Sequence, residues 1–342
     1  MNIKTNNAEK QIKAFCVQIG ADPLLVQGAG GNISWKDGDV LWVKASGMWI
    51  ADAASRDIFV PVNLSFLQKA LSRNDFFVKP EVTNNSDLRP SIETLLHALM
   101  PHRVVVHIHA VEILAHLVQV NAKEKIKKLV GDAVNWIYVD YFKPGADLAR
   151  AVYLQLINRF DTEVVFLGNH GIVIGGEDVK NIVFTLRTLI SKLKTKTSPT
   201  LAESRPSTLE PEFLARGYVP CGDKEVSLLV NKDEEINRLR KDWALYPDHV
   251  VFLGAKPAIL ETKFNLLDLD EIASVKPPFI FSIKEGVFQN LHTTAAQKCQ
   301  LRCYYDVIAR QSTSDKLATL SDRQVSELLD WDAEKFRQGI SS

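Results

Sequence analysis

The stretch RVVVHIHA at residues 103–110 is apolar at even and odd positions alike, yet it carries two histidines. Successive strand residues point to opposite faces, so Val104, Val105, Val106 and Ile108 leave no face for water and describe a strand buried on both sides. The same two-residue period places His107 and His109 on one face. Imidazoles buried in such a strand need partners, and a shared metal supplies them. The competing reading, a polar pair on the solvent side of an edge strand, is weakened by the valines.

A third histidine, His170, lies in GNHG, where flanking glycines form a tight turn that aims a side chain out from a strand end. Alone it reads as a turn histidine. Added to His107 and His109 it gives three nitrogens, the donor count of a catalytic zinc site with an open fourth position, and imidazoles favour zinc, iron or cobalt over magnesium or calcium. Glu93 falls in RPSIETLLHALMP, which reads as a helix over 89–101 capped by Ser91. It is either a carboxylate complementing the helix dipole or one placed to ligate the metal and move a proton. The loop GAGGNIS at 28–34, with Asn32, Ser46 and Gly47, offers backbone and side-chain donors to an anion, and Ser91 adds another. Its spacing matches neither a Walker loop nor a dinucleotide fingerprint. His97, His102, His116, His249 and His292 lack such company and are assigned structural roles.

Helical spacing puts Ile12, Phe15, Cys16 and Ile19 on one stripe ending at Gly20. Asp37-Gly38 marks a hairpin, and 58–62, 136–141 and the two halves of TEVVFLGNHGIVIGG read as further strands. Helices are expected near 65–72, after His109, after Pro144, over DVKNIVFTLRTLISKL, and over 293–310. The Ser, Thr, Pro and Lys-rich stretch at about 194–212 reads as an exposed connection, dividing the chain into 1–195 and 196–342. Two internal echoes cross that boundary: VVFLG recurs at 164–168 and 250–254, and FLGNHGIVIGGEDVKNIVFTLR aligns with FSIKEGVFQNLHTTAAQKCQLR. Chance likeness and a degenerate partial repeat both remain open. In the second case Glu285 stands where His170 does.

Charges balance at 41 basic and 41 acidic side chains, so no overall bias toward nucleic acid or an anionic membrane is expected and any charged substrate is handled locally. The four scattered cysteines fit reduced thiols in a cytoplasmic protein. The polar N-terminus lacks the apolar core of a signal peptide, and no apolar run reaches membrane-spanning length.

In this order, GGNIS, KASG, PSIE, HIHA and GNHG resemble the class II aldolase and adducin head-domain family over about residues 8–195. A further likeness, to the aldolase half of bifunctional rhamnulose-1-phosphate aldolase/alcohol dehydrogenase proteins, rests on RPSIETLLHALMP, YPDHVV and FIFSIKEGVF. It extends through most of 200–315, and no dehydrogenase half is expected. The resemblance implies a three-layer α/β/α sandwich around a largely antiparallel sheet, here with a C-terminal α/β extension. It implies a divalent metal, zinc foremost, on His107, His109 and His170. Glu93 would be a fourth ligand that later serves as base, and Gly31, Asn32, Ser46, Gly47 and Ser91 would surround a substrate phosphate.

The implied activity is that of a lyase cleaving or forming a ketose phosphate through a metal-stabilised enediolate, in a homo-oligomer, usually a tetramer. Epimerisation, decarboxylation or dehydration on the same metal site, acting on a sugar phosphate or related carbohydrate acid, is the first alternative. A non-catalytic adducin-like module is the second. Two departures stand out: Ile92 replaces a serine common in the family's sugar-phosphate aldolases, and NAKEKIKKLVGDAVNW lacks the tyrosine some of them use as proton donor, leaving Tyr141 nearest.

Overall fold

The computed structural model describes residues 3–195, 210–262 and 266–341. The N-terminal part runs α1 (Ile3–Gly20), β1 (Asn32–Asp37), β2 (Val40–Lys44), β3 (Phe59–Asn63), α2 (Leu64–Ser72), α3 (Thr94–Leu99), β4 (Val104–Ile108), α4 (Val111–Leu117), α5 (Ala122–Val130), β5 (Trp136–Val139), α6 (Ala146–Leu156), β6 (Val164–Leu167), β7 (Gly171–Gly176) and α7 (Val179–Leu193). Its seven strands form one sheet, ordered β3-β2-β1-β4-β7-β6-β5. Every pairing is antiparallel except β5 with β6.

The two faces of β4 bury different cores. Val104, Val106 and Ile108 join a cluster with Ile12, Phe15, Leu114 and Leu186 from α1, α4 and α7. Val105 points the other way, into a cluster with Leu96, Leu148 and Val152 from α3 and α6. Helices therefore cover both faces of the mainly antiparallel sheet, the layered α/β arrangement expected, and β4 lies at its centre because all five of its residues are buried.

Beyond residue 209 the chain forms α8 (Pro211–Leu214), β8 (Tyr218–Pro220), α9 (Asp233–Lys241), α10 (Pro247–Leu253), β9 (Ala258–Leu260), α11 (Leu266–Ser274), β10 (Phe279–Ser282), β11 (Gly286–Asn290), α12 (Ala295–Ile308), α13 (Asp322–Leu329) and α14 (Asp332–Ser341). A second sheet, ordered β8-β11-β10-β9, holds a small core of Phe213, Tyr218, Ile280 and Phe288. Tyr246, Val250, Tyr304 and Val307 from α10, its N-cap and α12 belong instead to the same cluster as Ile12 and Val106, so these helices pack as part of the larger core. Most of the expected connection at 194–212 lies outside the described residues.

One expectation changes, one unread segment gains a helix, and one open reading closes. The helix read over 89–101 begins only at Thr94, with Glu93 at its N-cap. Pro90 bridges Ala45, and the Ser91 N–H donates to the Lys44 carbonyl at 3.2 Å, so this segment is spent as extended chain tied to the end of β2. Residues 122–130, given no helix from the sequence, form α5, whose Ile126 and Val130 are buried four apart. The VVFLG echo is not structural: the first copy supplies β6, whereas the second lies in α10, started by Pro247 and ended by Gly254 at φ +89°. The longer echo pairs β6, β7 and α7 with β10, β11 and α12, the same element order in both segments.

His97 and His249 sit wholly in the core. The first pairs its Nδ1 with Ser34 Oγ at 2.8 Å, and the second is ringed by Trp243 and Tyr304 at 4.3 and 4.8 Å between centroids. Burial pulls both imidazoles from 6.5 to about 3. Between those values the unfolded chain binds protons that the folded chain refuses, so stability rises with pH there and is lost on acidification. Each histidine is expected to cost about 1.4 kcal/mol per pH unit through the window. The urea midpoint should fall from pH 6.5 toward 3, with a shallower fall in His249→Phe. A midpoint flat across that window would count against this burial.

Candidate metal centre

Strand pairing brings the separated motifs to one end of the sheet. β1 sets Asn32 opposite His107, and β7 sets Val173 opposite His107 on the other side. Gly31 fits only as glycine: its φ is +67°, and a Cβ there would lie 2.8 Å from the His107 carbonyl oxygen. β4 ends at Ile108, one residue before His109, yet the two rings stay together with centroids 4.9 Å apart. His170 follows Asn169, whose φ of +53° makes the turn between β6 and β7. Asn169 is anchored in turn, its amide donating to the carbonyls of Leu245 at 2.9 Å and Ala318 at 2.6 Å. The ring of His170 thereby lies 4.9 Å from that of His107 and 5.4 Å from that of His109.

One donor atom from each of the three histidines lies within 4.8 Å of the others. The tautomers follow from the partners. His107 Nδ1 faces the Ile172 carbonyl at 2.9 Å and must donate to it, while His109 Nδ1 faces Asp248 Oδ2 at 3.3 Å. That leaves His107 Nε2 as an acceptor, and His109 Nε2 stands 3.1 Å from it. A contact that short needs either a proton or a metal cation between the two nitrogens. Two ligands on a tetrahedral zinc with bonds of about 2.0–2.1 Å are separated by about 3.3 Å, so the spacing fits such an ion.

Glu93 closes the group. Its Oε2 accepts from Asn32 Nδ2 at 2.7 Å and lies 3.5 Å from His107 Nε2, and its Oε1 lies 3.4 Å from His170 Nε2. Ser91 holds the carboxylate's backbone, its Oγ accepting from the Glu93 N–H at 3.2 Å. Burial pushes the Glu93 carboxyl up, but His107, His170, His109 and Arg337 outweigh it and hold it below its ordinary value. Burial pulls His170 down to about 3 and lowers His107, with the Glu93 carboxylate opposing it at both rings. A neutral imidazole and an ionised carboxylate are the forms that ligate metals. All four side chains are buried, His107 completely and Glu93 with 6% exposure.

Ser46 and Ser91 are neighbours, flanking the bridge between Ala45 and Pro90, and the Ser46 N–H donates to the Arg89 carbonyl at 2.9 Å. The amide of Asn32 is turned to Glu93. Gly47, at φ +78°, lies beneath α14: a Cβ on it would come 2.9 Å from Ile340 Cβ. Tyr141 is half-buried just past β5, and burial, with Glu327 and Glu334 adding to it, keeps its hydroxyl protonated.

Sequence reasoning missed three charged residues. Lys44, from KASG, is fully buried and donates to the carbonyls of Met48, Ala29 and Ala45 at 2.6, 3.2 and 3.4 Å, tying the Gly-rich loop to the Ser46 loop. Burial, with Arg337 adding to it, draws its ammonium down to about 7. Asp248 contacts His109 and receives Arg337 from α14. Burial raises its carboxyl, and Arg337 and His109 overcome that to leave it far below the ordinary range. YPDHVV contained Asp248, but no local pattern pointed it at His109.

The chain belongs to the class II aldolase and adducin N-terminal domain family, whose model matches residues 11–195. An L-fuculose phosphate aldolase of Methanococcus maripaludis is 26% identical over 159 residues, 46% of this chain and 79% of that protein. An uncharacterized oxidoreductase, YuxG, of Bacillus subtilis is 29% identical over 175 residues, 46% of this chain but only 25% of the relative, so the likeness covers a quarter of that protein's length. Among solved structures, the N-terminal class II aldolase domain of a conserved Thermoplasma acidophilum protein aligns with a TM-score of 0.46 at 26% identity, covering 54% of this chain and 90% of that one. No helix among the described residues is long and apolar enough to cross a membrane.

Proposed function

We propose that the chain is a metal-dependent aldolase, a lyase that cleaves or forms a carbon–carbon bond in a ketose phosphate at the His107, His109, His170 and Glu93 cluster. The convergence of three buried imidazoles and a buried carboxylate within ligating distance of one another carries this reading. A divalent metal bound there, zinc by its donor set, supplies positive charge where negative charge develops on the substrate oxygens. The chain's own part is the proton. Asn32 fixes Glu93 Oε2, leaving Oε1 to remove a proton from the carbon beside the ketone in the condensing direction and to return it in the cleaving direction. Ser46 and Ser91, with the Gly-rich loop pinned by Lys44, would receive the phosphate, and Tyr141 is retained as candidate proton donor to the aldehyde oxygen as it becomes a hydroxyl in the condensing direction.

Membership of the family, the relative described as an L-fuculose phosphate aldolase and the intact cluster support this over a scaffold role. Cytoplasmic location and a homo-oligomer, a tetramer by family resemblance, belong to the same proposal. Ile92 favours keeping a second reading, epimerisation, decarboxylation or dehydration at the same site on a sugar phosphate or carbohydrate acid, because it removes one phosphate donor. Incubating the metal-loaded protein with phosphorylated and unphosphorylated ketoses and aldonates separates the two. A released two- or three-carbon carbonyl fragment is the expected product, whereas carbon dioxide or water without fragmentation would sink the lyase reading.

A further inference from the structure

Every ligand of the proposed metal centre lies between Glu93 and His170, inside the family-matched segment, but the group that orients one of them comes from far outside it. Asp248 sits in the first turn of α10 with only 2% of its surface exposed. Its Oδ2 faces His109 Nδ1 at 3.3 Å and also receives Gln300 Nε2 from α12 at 3.4 Å. Its Oδ1 takes the Nη2 of Arg337 from α14. Arg337 in turn pairs its Nε with Glu334 Oε2 at 2.8 Å, Glu334 being buried and Arg337 largely so. The carboxylate is thus held from behind by two elements and has one direction left, toward the imidazole.

The Gly-rich loop leaves room for this contact. A Cβ on Gly30 would fall 2.8 Å from Asp248 Oδ2 and 3.3 Å from His109 Nδ1. The middle of GAGG therefore sits against the carboxylate–imidazole pair, and the absence of a side chain there is a condition for the pair to form.

We propose that Asp248, clamped by Arg337 and Gln300 and admitted by Gly30, is a positioning residue for the metal centre. It holds His109 as the Nδ1–H tautomer, so that Nε2 is the nitrogen presented beside His107 Nε2. Ligating histidines in general donate their other ring nitrogen to a partner that fixes the tautomer and raises basicity. Here His107 uses a backbone carbonyl within the sheet, and His109 uses a charged group supplied by the C-terminal region. The 11–195 segment alone consequently carries the ligands without the means of orienting all of them. This inference rests on the three-histidine reading, and it makes α10, α12 and α14 part of the same centre.

The test uses the full chain with two readouts. In metal-free protein labelled with nitrogen-15 on histidine, the His109 ring is expected to show Nδ1 protonated in the wild type and a mixture of tautomers in Asp248→Ala. In competition with a chromophoric chelator, Asp248→Ala is expected to bind zinc ion about 10–100-fold more weakly. Asp248→Asn, which keeps an acceptor oxygen, should recover the tautomer and part of the affinity. Gly30→Ala removes no polar group and should reproduce the Asp248→Ala pattern even if that variant folds poorly. Wild-type tautomer and an affinity within twofold in both Asp248→Ala and Gly30→Ala would overturn the proposal. A wild type that takes up no zinc while showing the Nδ1–H tautomer, lost in Asp248→Ala, would leave the orienting contact standing and contradict the metal reading instead.

Discussion

Glu93→Gln is expected to lower turnover roughly 10²–10⁴-fold, the usual contribution of a positioned acid–base group, while metal stays bound to the three histidines. Glutamine matches glutamate in shape, and it can keep a polar atom opposite Asn32 Nδ2, which stands 2.7 Å from Oε2 in the native protein. What it loses is the capacity to accept a proton, together with the negative charge that His107, His170, His109 and Arg337 stabilise. A steady-state assay on the substrate found by product analysis, with metal content measured on the same preparation, checks both halves. Full turnover in the variant would remove Glu93 from the chemistry. Loss of metal together with turnover would make it chiefly a ligand.

His107→Ala is expected to abolish stoichiometric metal binding and all turnover that depends on it. No other residue stands so centrally. His107 Nε2 lies 3.1 Å from His109 Nε2 and 3.5 Å from Glu93 Oε2, and its Nδ1 is tied to the Ile172 carbonyl within the sheet. Removing the ring leaves His109 and His170, whose centroids are 5.4 Å apart, with Glu93, and takes away the donor that stands between them. The β4 register is set by the pairings with β1 and β7, which do not use the imidazole, so the fold should survive. Unchanged far-UV circular dichroism with metal reduced to background is the expected pair of results. Retained stoichiometric metal would place the site elsewhere.

The parts of this molecule legible in the sequence are those where one local pattern meets one physical demand. The valines at 104–106 announced a strand covered on both faces, and the two cores on either side of β4 meet that demand. His107, His109 and His170 could be assembled because the first two stand two apart at a strand's end, with rings that stay together though β4 stops at Ile108, and the third sits in a glycine turn. The start of α3 was misread because what delays it is not local: Pro90 is held by Ala45, across the chain, and extended pairing there wins over helix propensity. VVFLG takes two conformations for the same reason, since a pentapeptide takes its conformation from the proline and glycine around it and from the layer it must fill. Asp248 and Arg337 were invisible as site residues because their meaning depends on α10 and α14 packing beside a loop more than 200 positions earlier, at Gly30. Nothing in KASG singles out Lys44, and only its burial beneath three carbonyls reveals it as a clamp.

The central claim is that His107, His109 and His170 hold a single divalent metal. Metal analysis of the purified full chain, combined with X-ray absorption at the edge of the metal found, addresses it most directly. The structure predicts one metal per chain with nitrogen scatterers at about 2.0–2.1 Å if it is zinc, and loss of that signal in His107→Ala. A purified chain without stoichiometric metal, or one whose metal content is unchanged by His107→Ala, would contradict it.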